Sequence, residues 1–230
     1  MTAAIEEIMG FMDAGGPIMY LLAIMSVVAT TVFASKMVQF LMLRLWNGRE
    51  RDEALGLWRS GHGKAALDLL EDGAHPAAAI ARYAMQLRHN RDISDAEARE
   101  EVERVAGLFM DRLSSGLRLL SAIAMLSPLI GLLGTVIGMI DAFKALEGAG
   151  SKVDPSILSG GIWVALLTTA AGLVVAIPAT AAHQLVDGIV ERAGRAMEDA
   201  ATQVFTAAPA PVRRRAVAES ISEAALQGAE

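Results

Sequence analysis

Three threonines stand where a polar atom is hardest to hide: Thr135, Thr168 and Thr169 lie inside stretches of sequence that carry no charged residue. Their hydroxyls have two readings. Each can donate to a carbonyl one turn back on its own helix, or, if several copies of the chain assemble, the hydroxyls can form a polar ring lining a pore. Two ionisable residues flank the same stretches. Asp141 is either an interfacial solvated carboxylate or part of a ring that collects protons at a pore entrance. His183 is either an amphipathic interfacial side chain or a proton exit. Other chemistry is not signalled. His62, His75 and His89 share no metal-ligand spacing and no acidic cluster joins them, so no metal site is expected. There is no cysteine, which excludes disulfides and thiol chemistry. No phosphate loop, nucleophile elbow or dinucleotide fingerprint occurs, so neither enzymatic activity nor a cofactor is expected. Energy for any work would have to come from an ion gradient.

The elements that hold these residues are three apolar runs, 17–34, 119–140 and 156–182, each without a single charge. A helix crosses the hydrocarbon core with roughly 20 apolar residues. Each run is long enough, and the chain is expected to be an all-α membrane protein with three transmembrane helices. Composition agrees and adds a limit: 53% of residues are hydrophobic, yet 20% are charged, too many for a chain wholly in lipid. The charges gather between the first and second runs and after the third, which predicts long helical extensions in water. A net charge of −6 gives no reason to expect nucleic acid. The arginines at 213–215 mark either a tail near an anionic leaflet or a solvated run.

Orientation follows from the cations. Basic residues crowd the 44–112 segment, residues 1–17 have none, and the second connection has only Lys144 and Lys152. The positive-inside rule then places the long segment and the C-terminal tail in the cytoplasm, with the N-terminus and the 144–155 loop outside. The first run has no basic n-region before it and no small-residue cleavage pattern after it, and reads as a retained anchor. Lys36, just past its uncharged part, can snorkel to the interface.

The soluble part reads as helix. Ser94 and Glu97 form a capping-box pattern, Val102, Val105, Leu108, Phe109 and Leu113 recur at helical spacing, and Glu100 precedes Arg104 by four. With no Gly-Pro or Asn-Gly breaker, this helix is expected to run on into the second membrane run, with a bend at Pro128. Upstream, two or three short helices should break at Gly61, Gly63, Gly73 and Pro76. Beyond the third run a stripe through Leu185, Ile189, Ala193 and Met197 continues until "AAPAP" at 207–211 ends it.

The second and third runs carry more than hydrophobicity: "SPLIGLLGTVIGMIDAF" at 127–143 and "GGIWVALLTTAAGLVVAIPATAAH" at 160–183. Gly131, Gly134, Gly138, Gly160, Gly161 and Gly172 let helices approach closely, and Pro128 and Pro178 remove backbone hydrogen bonds in a way that a packed bundle absorbs. Such helices suit contact with other helices.

Both segments resemble the membrane signatures of the MotA/TolQ/ExbB proton-channel family. "FASK" at 33–36, the long helical insert and the order of three spans resemble its TolQ/ExbB branch, whereas MotA-type chains have four spans. The likeness covers the chain to about residue 206. It implies a helical, pentameric inner-membrane motor subunit enclosing a pair of ExbD- or TolR-like single-span helices. Their transmembrane aspartate would carry protons and drive a periplasm-spanning protein such as TonB or TolA. Thr135 matches the threonine of "GLxGTVxG" and Thr169 that of "ALLxTAxGL", both implied to face the partner aspartate, with Thr168 beside them. Pro128 and Pro178 match the prolines of "xPxIGL" and "AIP". In one place the chain departs: many TolQ and ExbB chains carry a glutamate directly before "ALL", and here that residue is Val164. The third span therefore holds no carboxylate, although an intramembrane acid is ordinarily the functional site. Any proton carrier must come from another chain, or the protein is a non-conducting scaffold that kept the fold. The expected organisation is an anchor segment at 1–43, a helical insert at 44–117, the proton-channel region at 118–206 and a tail at 207–230.

Overall fold

The computed structural model describes Gly10, residues 12–13, 15–46, 48–71, 73–90, 92–148 and 155–207. The arginines at 213–215, Lys152 and most of the "AAPAP" segment lie outside the described residues. Every regular element among those described is an α-helix: α1 Gly16–Met42, α2 Arg49–Arg59, α3 Gly63–Leu69, α4 Pro76–His89, α5 Asp95–Ser114, α6 Leu117–Gly148 and α7 Pro155–Thr206. Among the described residues three helical stretches are long and apolar enough to cross a membrane, one at each uncharged run. Their large outward side chains, such as Ile24, Val27, Leu129, Leu166 and Val174, are exposed because lipid is the solvent there. Where α1 carries hydroxyls, its own backbone absorbs them: Thr30 donates to Ser26 O and Thr31 to Val27 O.

The chain divides into two compact units. The first contains α1 as far as Val38 and residues 115–187. Its core is a three-helix seam in which Leu22 and Ala29 of α1 meet Leu120 and Ile123 of α6 and Val175 and Ala179 of α7. The second contains residues 39–114 and the chain from Gly188 on. In it α2 packs on α3 and α4, and α4 packs on α5. The alanines of α4 explain the tight packing: Ala77, Ala78, Ala81 and Ala84 are all buried, so neighbouring helices meet it on more than one face. The last turn of α7 would leave carbonyls without intrahelical donors. Trp58 Nε1 and Arg88 Nη1 donate to Val204 O, and Arg88 Nη1 also to Ala207 O, closing that end.

Several local expectations meet their structure here. The capping box forms in full: Ser94 N and Oγ donate to Glu97 Oε2 at 2.9 and 2.7 Å, and Glu97 N donates to Ser94 Oγ at 3.2 Å. The insert breaks into α2, α3 and α4 near the expected positions, with Pro76 in the first turn of α4. Four readings are corrected. The long helix does not run from Ser94 into the second span. It is interrupted at Ser115 and Gly116, where Gly116 has φ +79°, a backbone conformation that glycine adopts without strain. Lys36 does not snorkel outward: it is 5% exposed, and its ammonium donates to Ser115 Oγ at 3.0 Å. The break presents a polar partner close enough to hold it. Arg104 pairs with Glu101 at 2.7 Å, not with Glu100, because Tyr83 Oη from α4 also bonds Glu101 and fixes that carboxylate beside it. Together the two donors, Arg104 foremost, hold the Glu101 carboxyl down at about 2. Finally, Ala193 and Met197 are buried in the α7 stripe as expected, but Val186 and Val190 stand in it in place of Leu185 and Ile189, and Leu185 is 60% exposed.

Candidate proton pathway at the paired membrane helices

Small residues decide how α6 and α7 meet. A Cβ on Gly131 would lie 2.8 Å from Thr168 O and 3.2 Å from Gly172 Cα, and one on Gly172 would lie 2.6 Å from Ser127 O. One on Gly134 would collide with the Thr168 side chain, and one on Gly161 with Ala142 Cβ. Backbone therefore runs against backbone, and only glycine fits at these places. The close contact is made within one chain. Gly138 faces Ala165 at an ordinary 3.5 Å, and Gly160 has open space around it, so Gly160 is not a packing glycine of this contact.

That closeness brings the threonines to the facing carbonyls. Thr168 is 1% exposed; its Oγ1 lies 2.8 Å from Ala165 O and 3.3 Å from Gly131 O on α6. Thr169 is half-buried, and its Oγ1 donates across to the same Gly131 O at 3.3 Å. Thr135, also half-buried, donates to Leu132 O of its own helix at 2.7 Å. Gly131 O thus gathers two of the three hydroxyls, while Thr135 turns to its own backbone. In each case the hydroxyl proton is engaged by a carbonyl and the oxygen lone pairs are left as acceptors. Such oxygens can receive a hydrogen bond from a protonated carboxyl or a water, but they do not titrate and cannot carry a proton themselves.

The prolines sit beside this contact. Pro128 has no N–H to give to Ala124 O, and the preceding Ser127, fully buried, donates its hydroxyl to Ile123 O at 2.6 Å. Pro178 is exposed on α7, and the next turn is marked by Thr180 donating to Ala176 O. His183 lines a recess with Ser121, Met125, Thr180 and Gln184, between α6 and α7. Asp141 is exposed at the other end of the α6 apolar stretch, so the two flanking ionisable groups are not brought together. Between Arg118 and Asp141 on α6, and from Pro155 to His183 on α7, no ionisable side chain occurs. Val164 is half-buried, with exposed Trp163 before it and buried Ala165 after it.

Sequence reasoning passed over Ser127, Ala142 and Ala165. A signal for them existed: Ser127, Gly131, Gly134, Gly138 and Ala142 on α6, and Gly161, Ala165, Thr168 and Gly172 on α7, recur at three- and four-residue steps. A stripe of small residues at helical period traces the contact face more completely than glycine alone.

Comparison with known proteins agrees with this geometry. The sequence profile of the MotA/TolQ/ExbB proton channel family matches residues 72–199. The biopolymer transport protein exbB1 of Vibrio cholerae is 36% identical over 170 residues, covering 71% of this chain and 72% of its own. The biopolymer transport protein ExbB of Salmonella typhimurium is 29% identical over 195 residues, covering 80% and 77%. The Tol-Pal system protein TolQ of Haemophilus influenzae is 38% identical over 100 residues, covering 44% and 36%. Three membrane-length helices, the glycine-lined pairing of α6 with α7 and the extent of these matches agree: the chain belongs to the MotA/TolQ/ExbB proton channel family, in its ExbB/TolQ branch.

Proposed function

We propose that this chain is the ring-forming subunit of a proton-driven motor of the bacterial inner membrane. Copies of it, five in our reading, surround single-span partner helices of the ExbD or TolR kind, with Thr135 and Thr169 turned to the lumen and Thr168 behind them. The N-terminus lies in the periplasm and the C-terminus in the cytoplasm. Protons moving down their gradient drive work on a periplasm-spanning protein such as TonB or TolA. The observation that carries this reading is the combination of hydroxyls with no titratable group in the paired spans. One charge moved through 100 mV makes available about 2.3 kcal/mol. A chain that lines the path with acceptors but has no acid leaves the proton-carrying carboxylate to the enclosed partner. Asp141 and His183, at opposite ends of the uncharged stretch, are the entrance and exit in this scheme.

Replacing Thr135 or Thr169 with valine keeps shape and removes the acceptor. In cells whose growth depends on the proton motive force for uptake, both variants should assemble with the partner yet lose most of the driven work. Full activity with an intact complex in both variants would remove the polar ring from the account.

A second reading has its own support. Val164, at the position where many relatives hold glutamate, favours a scaffold that kept the assembly without conduction. The Val164→Glu variant separates the two. At a hydrated, lumen-facing position the acid is tolerated, whereas at a dry contact it costs several kcal/mol and impairs insertion or complex recovery. Clean assembly supports the motor reading, and loss of the complex supports the scaffold.

A further inference from the structure

We propose that the C-terminal segment of this chain, residues 212–225, folds back into the groove between α5 and the end of α7, with Arg213, Arg214 and Arg215 meeting Glu103 and Glu198. The groove, about 550 Å³, lies wholly within the second unit. Arg99 of α5 stands 4.6 Å over the Phe205 ring, and Met110 fills the space beside Gly194, so the two helices run antiparallel. The groove follows α5 from Arg99 to Met110, a rise of about 16 Å. Its floor is Val102, Ala106, Met197 and Ala201, small or apolar side chains that leave room for a further apolar stripe.

Charge says what the groove accepts. Glu103 on the α5 wall and Glu198 on the α7 wall are both exposed, and neither makes an ion pair with another described residue. Arg99, the cation of the same lining, is taken up over Phe205. An acidic rim over an apolar floor selects a segment that is basic at one end and apolar along one face.

The end of this chain has that chemistry and is tethered within reach. Residues 208–230 lie outside the described residues, and α7 ends at Thr206, directly after Phe205 of the groove. Pro209 and Pro211 disfavour helix at the residues before them, which suits a reversal. Glu198 lies nine residues back from Ala207, about 13 Å along α7, and the six residues from Ala207 to Arg213 reach at most about 20 Å. After the arginines, Val217, Ile221 and Ala224 recur at four- and three-residue steps, the spacing of one helix face. That face matches the apolar floor running from Glu198 toward Met110. A segment held this close competes at an effective concentration of about millimolar, ahead of any free peptide.

The test is hydrogen–deuterium exchange of the full-length protein in detergent, read at the amides of 212–225 against a synthetic peptide of the same sequence. These amides should exchange about tenfold more slowly in the protein. Gly107→Leu fills the groove at a position where a Cβ meets nothing within 4 Å, so it leaves α5 intact and should return the segment to the peptide's rate. Glu103→Lys with Glu198→Lys should remove most of the protection, and adding Arg213→Glu, Arg214→Glu and Arg215→Glu should restore it. Exchange at the peptide's rate in the parent protein, or protection unchanged in Gly107→Leu, would overturn the proposal. Protection that needs added phosphatidylglycerol and survives Gly107→Leu would place the arginines at an anionic leaflet instead. The chain has no cysteine, so Thr202→Cys with Ala216→Cys and a short bismaleimide tell its own tail from a neighbour's. Cross-linking within one chain supports the proposal, and linked dimers would assign the groove to a second copy's tail and overturn it.

Discussion

At the scale of single residues, the hydroxyls of the paired spans divide by where their protons go. Thr168 is enclosed between α6 and α7 and donates only to backbone carbonyls, so its task is to hold the pair. Thr168→Val keeps the volume and removes the donor, and should lower stability by about 1 kcal/mol, the usual net worth of one such bond, with interhelical bonds in membranes at the lower end. Thermal unfolding in detergent would read this, and no change would mean that the Gly131 carbonyl does not need the bond. Thr135 and Thr169 stood out in sequence because they match the "GLxGTVxG" and "ALLxTAxGL" motifs, with Thr168 adjoining, whereas Thr30, Thr31 and Thr180 lie in charge-free runs without such a match. The partners of the three were not visible, since the choice between one's own helix and the next depends on a backbone separation that only packing sets. Thr135 took its own helix, while Thr169 took the neighbour.

Helices show the same division between what period reveals and what packing decides. The capping box at Ser94 was legible because both its halves are local. The break at Gly116 was not, because glycine within a helical pattern is tolerated, and the approach of Val32 and Lys36 from α1 to the break is set by packing. The start of the α7 stripe, at Val186 and Val190 where Leu185 and Ile189 were expected, has a similar cause: apolar residues at both Leu185 and Val186 leave the register open until neighbours fix it. Among the glycines, sequence marked the right class but not which members touch. Gly134→Leu should overpack the contact with Thr168, cost roughly 1–3 kcal/mol or more and reduce the recovered folded protein, whereas Gly160→Ala, with open space around it, should be silent. Parallel unfolding curves decide this. A Gly134→Leu protein as stable as the parent would refute the close intrachain pairing. His75 supplies a pH effect in the second unit. Burial, and next the nearby Arg51 charge, hold its folded pKa below the ordinary value of 6.5, so the unfolded chain binds the proton first and stability falls as pH drops below about 6.5. Replacing His75 by glutamine should flatten that part of the acid stability profile, and a profile of unchanged slope would argue against a neutral buried imidazole.

For the whole molecule, three membrane-length helices and a helical insert follow from hydropathy and charge, because lipid imposes coarse rules on sequence. Family membership rests on two separated motifs and on matches along most of the chain. The proposed ring is not legible in one chain, because a lumen is a property of several copies, and a threonine facing it would look like any half-buried threonine. The missing carboxylate is the feature with most consequence at this scale: the paired spans hold no titratable group, so the proposed proton path needs a carrier from another chain. Proton flux into proteoliposomes under an imposed potential measures this directly, with the chain alone, with the proposed ExbD- or TolR-like single-span protein, and with the intramembrane aspartate of that protein changed to asparagine. The account predicts flux only when both chains are present and the aspartate is intact. Equal flux from the chain alone, or none above protein-free vesicles when both are present, would contradict it.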